Sequence, residues 1–217
     1  MKIGSFLQTT FVLFLNLLFI STANAIPTIQ HWQTNNGTRV YFVPAPNLPM
    51  VDIKVVFDAG SARDGDNPGI AMLTNELLSE GAGGHSADQI AEHFDNLGAE
   101  LNNTVDRDMA TVSLRSLTES ELLQPALNML ALLLAKPDFD ETALERIRQK
   151  RLSYLKYQQQ SPDVIGEEAF YQAVFETHPY ATLPEGTSES VTTITRDGVN
   201  AFHKRYYVTK NALIVIV

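Results

Sequence analysis

Residues 67–81, NPGIAMLTNELLSEG, predict a short, buried helix. Asn67 is expected to cap its first turn, and Pro68 suits the first helical position because its missing N–H would have no partner there. Gly81 is expected to end the helix, since glycine readily takes the left-handed conformation of many helix ends. Apolar side chains recur along one face at helical spacing: Ile70, Leu73 and Leu77. This face is expected to pack into the core.

The segment before this helix predicts a strand. Residues 51–57, VDIKVVF, place Ile53, Val55 and Phe57 on one side and the charged Asp52 and Lys54 on the other. Such alternation is typical of a strand with one buried face. Residues 59–66, AGSARDGD, then form a polar loop that leads into the helix.

Turn and capping signals divide the rest of the chain. Residues 28–43 predict a hairpin, with a type I′ turn at Asn36-Gly37. Ser86 with Gln89 and Thr118 with Glu121 have capping-box spacing, which marks two helix starts. Further strands are predicted at 100–105, 109–117 and 212–217, and further helices at 86–97, 118–135, 140–160, 161–175 and 199–207. Because tightly linked strands run antiparallel, the fold class is α+β, with a mixed, largely antiparallel sheet packed against several helices.

The predicted helix at 67–81 resembles the active-site helix of the pitrilysin/insulinase family, the inverzincin zinc peptidases. That family carries H-x-x-E-H, in which two histidines bind zinc and the glutamate activates water. In register, Met72 replaces the first histidine, Asn75 the glutamate and Glu76 the second histidine. The resemblance therefore implies the scaffold of a zinc peptidase without its catalytic residues.

The resemblance extends over residues 26–217. Segments similar to the family's motifs follow in the family's order: FDNLGAEL at 94–101, FDETALERIRQKR at 139–151, HPYA at 178–181 and YVTKNALIVIV at 207–217. Family subunits usually have two such domains in sequence. Residues 26–217 are accordingly expected to form the first, peptidase-like domain, with the apolar end at Val217 suggesting a chain cut short.

The family's third zinc ligand is a glutamate on the long helix, about 76 residues after the second histidine, and a catalytic zinc needs three protein ligands. Counting from Glu76 reaches Leu152, Ser153 and Tyr154, and none of them is a carboxylate. A single carboxylate does not hold zinc, and the amide of Asn75 cannot take a proton from water at neutral pH. The expectation is therefore no catalytic residue, no metal ligand and no cofactor, although active relatives use zinc.

The first 25 residues predict a secretory signal peptide. Lys2 supplies a positive start, residues 11–20 form an apolar run, and Ala23 and Ala25 fit an A-x-A cleavage site. A membrane anchor is the alternative, but the run of about 10 residues is shorter than the ~20 that span a bilayer. The mature protein is expected to be exported without a membrane span, and to be periplasmic if the source is a Gram-negative bacterium.

The net charge and the amino-acid composition of the chain disfavour some classes of partner and some kinds of site. The formal net charge is −9, and loss of Lys2 makes it one unit more negative, which disfavours binding to nucleic acid. There is no cysteine, which excludes a thiol nucleophile and a cysteine zinc site.

Three functions stay open. The first is a catalytically inactive subunit that pairs with an active, zinc-bearing peptidase subunit in a heterodimer and helps to form the chamber for a peptide or protein substrate. The second is an active zinc metalloendopeptidase with an unconventional site. The third is a structural or assembly protein of the envelope that uses the same fold.

Overall fold

Eight strands and seven α-helices form along residues 28–217, which are the residues that the structure, a computed structural model, describes. The strands are β1 (Gln30–Gln33), β2 (Arg39–Phe42), β3 (Met50–Phe57), β4 (Gly81–Ala82), β5 (His85–Ser86), β6 (Glu100–Val105), β7 (Ala110–Leu117) and β8 (Ala212–Ile216). The helices are α1 (Ile70–Leu77), α2 (Ala87–Asn96), α3 (Ser120–Ala135), α4 (Glu141–Gln158), α5 (Pro162–Phe175), α6 (Ser188–Thr193) and α7 (Arg196–Tyr206). The predicted signal peptide at 1–25, with Ala23 and Ala25, lies outside the described residues.

Six of the strands form one sheet in the order β1-β2-β8-β3-β7-β6. Only β2 and β8 run parallel in it, and the other neighbours are antiparallel. Helices pack on this sheet, with α1 against β6 and β7 and α3 against β7. The predicted α+β class with a largely antiparallel sheet is confirmed.

Strand β3 lies inside the sheet, between β7 and β8. Ile53, Val55 and Phe57 are buried, while Asp52 and Lys54 are exposed, as the alternation predicted. On the exposed side, Asp52 receives two hydrogen bonds from Arg115 of β7, at 2.7 and 2.9 Å. The buried side belongs to the same hydrophobic core as Leu73 and Leu77 of α1.

Helix α1 packs its predicted apolar face into the core, and Leu73 and Leu77 are fully buried. Its predicted start is wrong, because Asn67 and Pro68 precede the helix and Gly69 is the N-cap, with φ of 94°. A side chain at Gly69 would also approach a backbone carbonyl to 3.0 Å, so both conformation and space require glycine.

Gly81 does not end α1. The helix closes at Leu78 in right-handed conformation, and Gly81 pairs with Ser86 in the short β4–β5 hairpin. Ser86 then caps α2 in the predicted capping box with Gln89, which the structure confirms.

Three other features differ from the prediction. At the β1–β2 turn only Gly37 has positive φ, so Asn36-Gly37 is not a type I′ turn. Helix α3 has Glu119 as its N-cap, without a side-chain hydrogen bond, in place of the Thr118 capping box. Helix α6 was not predicted. Three of its C-terminal carbonyls accept hydrogen bonds from the buried Arg148, a long-range contact that local patterns do not show.

Candidate functional site

The three positions of the degenerate zinc motif lie on α1. Met72 and Glu76 are one helical turn apart and both are partly buried, whereas Asn75 is only 1% exposed. Spacing of i, i+4 places Met72 and Glu76 on one face of the helix, and Asn75 points elsewhere.

Asn75 is held by two hydrogen bonds. Its side-chain Nδ2 donates to the hydroxyl of Tyr207 at 3.1 Å, and its backbone carbonyl accepts from Nδ2 of Asn103 at 3.0 Å. Tyr207 packs between Phe57 and His203, with ring centroids 4.7 and 5.1 Å away. Burial raises the pKa of the Tyr207 hydroxyl far above its ordinary value, so this hydroxyl stays protonated. The pair is a neutral core contact without a general base.

Replacing Tyr207 with phenylalanine is expected to lower the free energy of unfolding by about 1–2 kcal/mol. The substitution keeps the ring and leaves the buried amide of Asn75 without its acceptor. Urea unfolding measures the loss. Tyr206→Phe is the control, because the Tyr206 hydroxyl makes no hydrogen bond to any described residue; equal losses in the two variants would contradict the account.

Glu76 forms an ion pair with Arg151 of α4, 75 residues further along the chain. Oε1 of Glu76 accepts from Nη2 of Arg151, while Oε2 is shielded from solvent and has no partner among residues 28–217. The Arg151 side chain is 13% exposed and the Glu76 side chain 26%. A guanidinium cation therefore neutralises the one carboxylate at the motif.

Arg151 is the residue that sequence analysis missed. In the family's pattern, a third zinc ligand is expected as a carboxylate near residues 152–154. Arg151 lies immediately before these residues and carries a positive charge. Its guanidinium also lies over the ring of Tyr154, 5.5 Å from the ring centroid. The sequence does contain a signal for this pair. Glu76 stands at the position of the second histidine, and Arg151 follows 75 residues later, close to the spacing of the family's third zinc ligand.

These residues do not fit a catalytic zinc ion. Zinc takes three protein donors and keeps one open position, whereas this face of α1 offers a thioether and a carboxylate already engaged by Arg151. Across the described residues, no group of three or more histidine, aspartate or glutamate side chains is placed to hold a metal. The motif positions therefore lack the two zinc-binding histidines and the water-activating glutamate of the family's H-x-x-E-H.

A cleft of about 640 Å³ opens beside Glu76. Its walls come from α1, α2, β6 and α4, and its charged lining includes Glu80, Arg146 and Lys150. Strand β6 is an edge of the sheet, and Asn102 and Asn103 on it line the same cleft. An open strand edge beside a cleft can bind an extended peptide through backbone hydrogen bonds, so the geometry allows binding without catalysis.

None of the α-helices between residues 28 and 217 is sufficiently long and apolar to cross a lipid bilayer. This finding covers the peptidase-like region alone.

Known proteins share both sequence and fold with this chain. It is 28% identical over 184 residues to an uncharacterized zinc protease of Rickettsia bellii, covering 83% of this chain and 44% of that protein. It is 26% identical over 170 residues to a protein of Helicobacter pylori named a non-peptidase homolog, YmxG, covering 78% of this chain and 39% of that protein. The chain thus spans less than half the length of these relatives.

A solved structure of a peptidase M16 inactive domain from Pseudomonas fluorescens superposes with a TM-score of 0.86. It is 39% identical in sequence, and the match covers 88% of this chain and 46% of that one. The crystal structure of pitrilysin, 21% identical, superposes with a TM-score of 0.76 over 89% of this chain and 21% of that one, which shows the shared fold. A sequence profile described as Insulinase (Peptidase family M16) matches residues 39–187. This chain therefore belongs to the insulinase family, peptidase family M16.

Proposed function

We propose that this chain is a catalytically inactive subunit of an exported M16 zinc peptidase. It pairs with an active, zinc-bearing subunit and contributes part of the chamber that holds a peptide or protein substrate. The observation that carries this proposal is the Glu76–Arg151 ion pair at the position where active relatives bind zinc. The fold of the peptidase is retained, while the Glu76 carboxylate at the motif is paired with the Arg151 guanidinium.

Two further observations support the proposal. Two similar proteins, one described as an inactive domain and the other as a non-peptidase homolog, agree with loss of catalysis within this family. The cleft beside Glu76 and the open edge of β6 keep a surface suited to a peptide. A binding surface without a catalytic centre is useful to a peptidase when another subunit supplies the zinc.

Export is part of the proposal. The N-terminal 25 residues have the pattern of a signal peptide with cleavage after Ala25, and in a Gram-negative source the mature protein would reside in the periplasm. The chain would need no cofactor of its own, and its negative charge disfavours nucleic acid as a partner.

Co-expression with a neighbouring exported M16 protein that has an intact H-x-x-E-H tests the proposal. The two proteins are expected to co-purify, and peptide cleavage by the mixture should exceed that of the active partner alone and stop with a chelator. No stable complex would contradict the pairing. Chelator-sensitive cleavage by this chain alone would favour an unconventional active site, and recovery with a membrane complex would favour an assembly role.

A further inference from the structure

A second cavity, of about 460 Å³, lies away from the Glu76 cleft. It is lined by the end of α4, by residues between 164 and 172 of α5, and by residues 182–188. Apolar side chains form part of its wall: Leu155, Val164, Ile165, Leu183 and Pro184. Polar side chains of Gln158, Gln159 and Gln172 line it as well. The cavity can therefore hold a ligand that has both an apolar group and hydrogen-bonding groups.

Arg107 brings a positive charge into this lining. Its guanidinium lies over the ring of Tyr171, 3.6 Å from the ring centroid. Nε and Nη2 are shielded from solvent and make no hydrogen bond to any described residue. Nη1 also makes no hydrogen bond to a described residue, and it is not among the atoms that are shielded from solvent. A cation held flat against an aromatic ring, with unused donors, is suited to bind a carboxylate.

The acidic residues next to Arg107 in sequence are engaged elsewhere. The Asp106 carboxylate accepts from the backbone N–H groups of Asp108 and Met109, at 3.1 and 3.0 Å. The Asp108 carboxylate accepts from the hydroxyl of Tyr180. Neither forms a salt bridge to Arg107, so its charge remains available to a ligand.

We propose that this cavity binds the C-terminal carboxylate of a peptide whose last side chain is apolar. The carboxylate accepts hydrogen bonds from Arg107, and the side chain packs on the apolar wall. The glutamines match the amide groups of a peptide and would stay unpaired against the hydrocarbon chain of a fatty acid. Glu167, Glu168 and Glu185 also line the cavity, so the carboxylate has to lie against Arg107 and away from these side chains, and further negative charge on the ligand is disfavoured.

The proposal does not rest on pairing with an active subunit, and a binding assay on the chain by itself tests it. The probe is fluorescein-Gly-Ser-Ala-Ala-Leu, prepared as the free acid and as the C-terminal amide, with fluorescence anisotropy as the readout. The acid is expected to bind at least roughly tenfold more tightly than the amide, because only the carboxylate accepts a charge-assisted hydrogen bond from the guanidinium. Octanoate is expected not to displace the peptide.

Arg107→Met should abolish the preference for the acid, while Arg107→Lys should retain part of it. Arg205→Met is the matched control, since Arg205 also lies over a tyrosine ring, 5.2 Å from the centroid of Tyr206, but does not line the cavity. Ile165→Asp, at a side chain 52% exposed, should weaken binding of both peptides without loss of folding.

Circular dichroism confirms that each variant is folded. If Arg107→Met does not fold, the comparison of acid with amide on the native chain and the Ile165→Asp variant decide the question. Equal binding of acid and amide, no binding of either, or a preference that survives Arg107→Met would overturn the proposal. Displacement by octanoate would assign the cavity to a fatty acid and would also overturn it.

Discussion

Replacing Arg151 with methionine is expected to lower the free energy of unfolding by about 2 kcal/mol. The change leaves the Glu76 carboxylate without its cation, and one oxygen of that carboxylate is already shielded without a partner. Breaking a fully buried ion pair from one side costs about 3–5 kcal/mol. The loss expected here is smaller because the Glu76 side chain is 26% exposed, so water can partly solvate the unpaired carboxylate.

Urea unfolding of the double variant Glu76→Gln with Arg151→Met separates a charge effect from loss of packing. If the unpaired charge is the cause, the double variant recovers most of the stability lost by the single one, because replacing both partners of a buried pair is nearly neutral. Arg63→Met is the control, since Arg63 and its partner Asp58 are 46% and 53% exposed, and it should cost less than about 1 kcal/mol. Equal losses for Arg63→Met and Arg151→Met would contradict the account.

Raising the pH from 5 to 8 is expected to remove about 3 kcal/mol of stability through Asp64 alone. Burial raises the pKa of this carboxyl from 3.8 to about 7, against the opposing effect of hydrogen bonds from the N–H groups of Gly69 and Ala71. These bonds are 2.7 and 3.0 Å long and hold the start of α1. The carboxyl therefore binds its proton more tightly in the folded chain than in the unfolded chain.

The direction in which stability changes with pH follows from which state, folded or unfolded, binds the proton more tightly. Below pH 4 the carboxyl is protonated in both states, so its full contribution to stability is present. As the pH rises toward 7, the unfolded chain releases the proton first, and the stability falls until the folded carboxyl ionises as well.

Denaturant unfolding of the native chain and of Asp64→Asn at pH 5 and pH 8 measures this effect. The amide keeps the size of the side chain and does not titrate, so the difference between the two pH profiles isolates Asp64. The same comparison cancels His203, where burial lowers the pKa and would cost stability in acid. Parallel pH profiles for the two proteins would show that Asp64 does not titrate in this range.

The parts of the fold that follow short-range patterns were predictable. The alternation of Val51–Phe57 gave a half-buried strand, and the Ser86–Gln89 capping box marked the start of α2. The apolar spacing of Ile70, Leu73 and Leu77 identified the buried face of α1. In each case the residues that determine the structure lie within a few positions of each other.

Some of the wrong predictions have local causes, and others depend on contacts between distant segments. Asn67 was the reasonable cap from sequence, but the side chain of Asp64 folds over the start of α1 and binds the N–H groups of Gly69 and Ala71. Arg148 of α4 binds carbonyls at the C-terminal end of α6, a contact that local periodicity cannot reveal, although the Thr187 and Ser190 capping box at the start of this helix is a local signal.

The candidate site also has a part that the sequence predicts and a part that only the tertiary structure shows. Met72, Asn75 and Glu76 were placed by register on one helix, whereas Arg151 becomes part of the site only when α4 packs beside α1. A search limited to metal donors had no reason to select a cation. The ion pair is a property of the tertiary structure, and it engages the carboxylate of the degenerate motif.

Zinc content is the measurement that tests the central claim most directly. The purified chain is incubated with excess zinc, desalted and analysed by inductively coupled plasma mass spectrometry, beside an M16 peptidase with an intact H-x-x-E-H. The peptidase should retain roughly one equivalent of zinc, and this chain should retain essentially none, because Arg151 already neutralises Glu76. Roughly one equivalent of zinc in the native chain, lost on Glu76→Gln, would contradict the account.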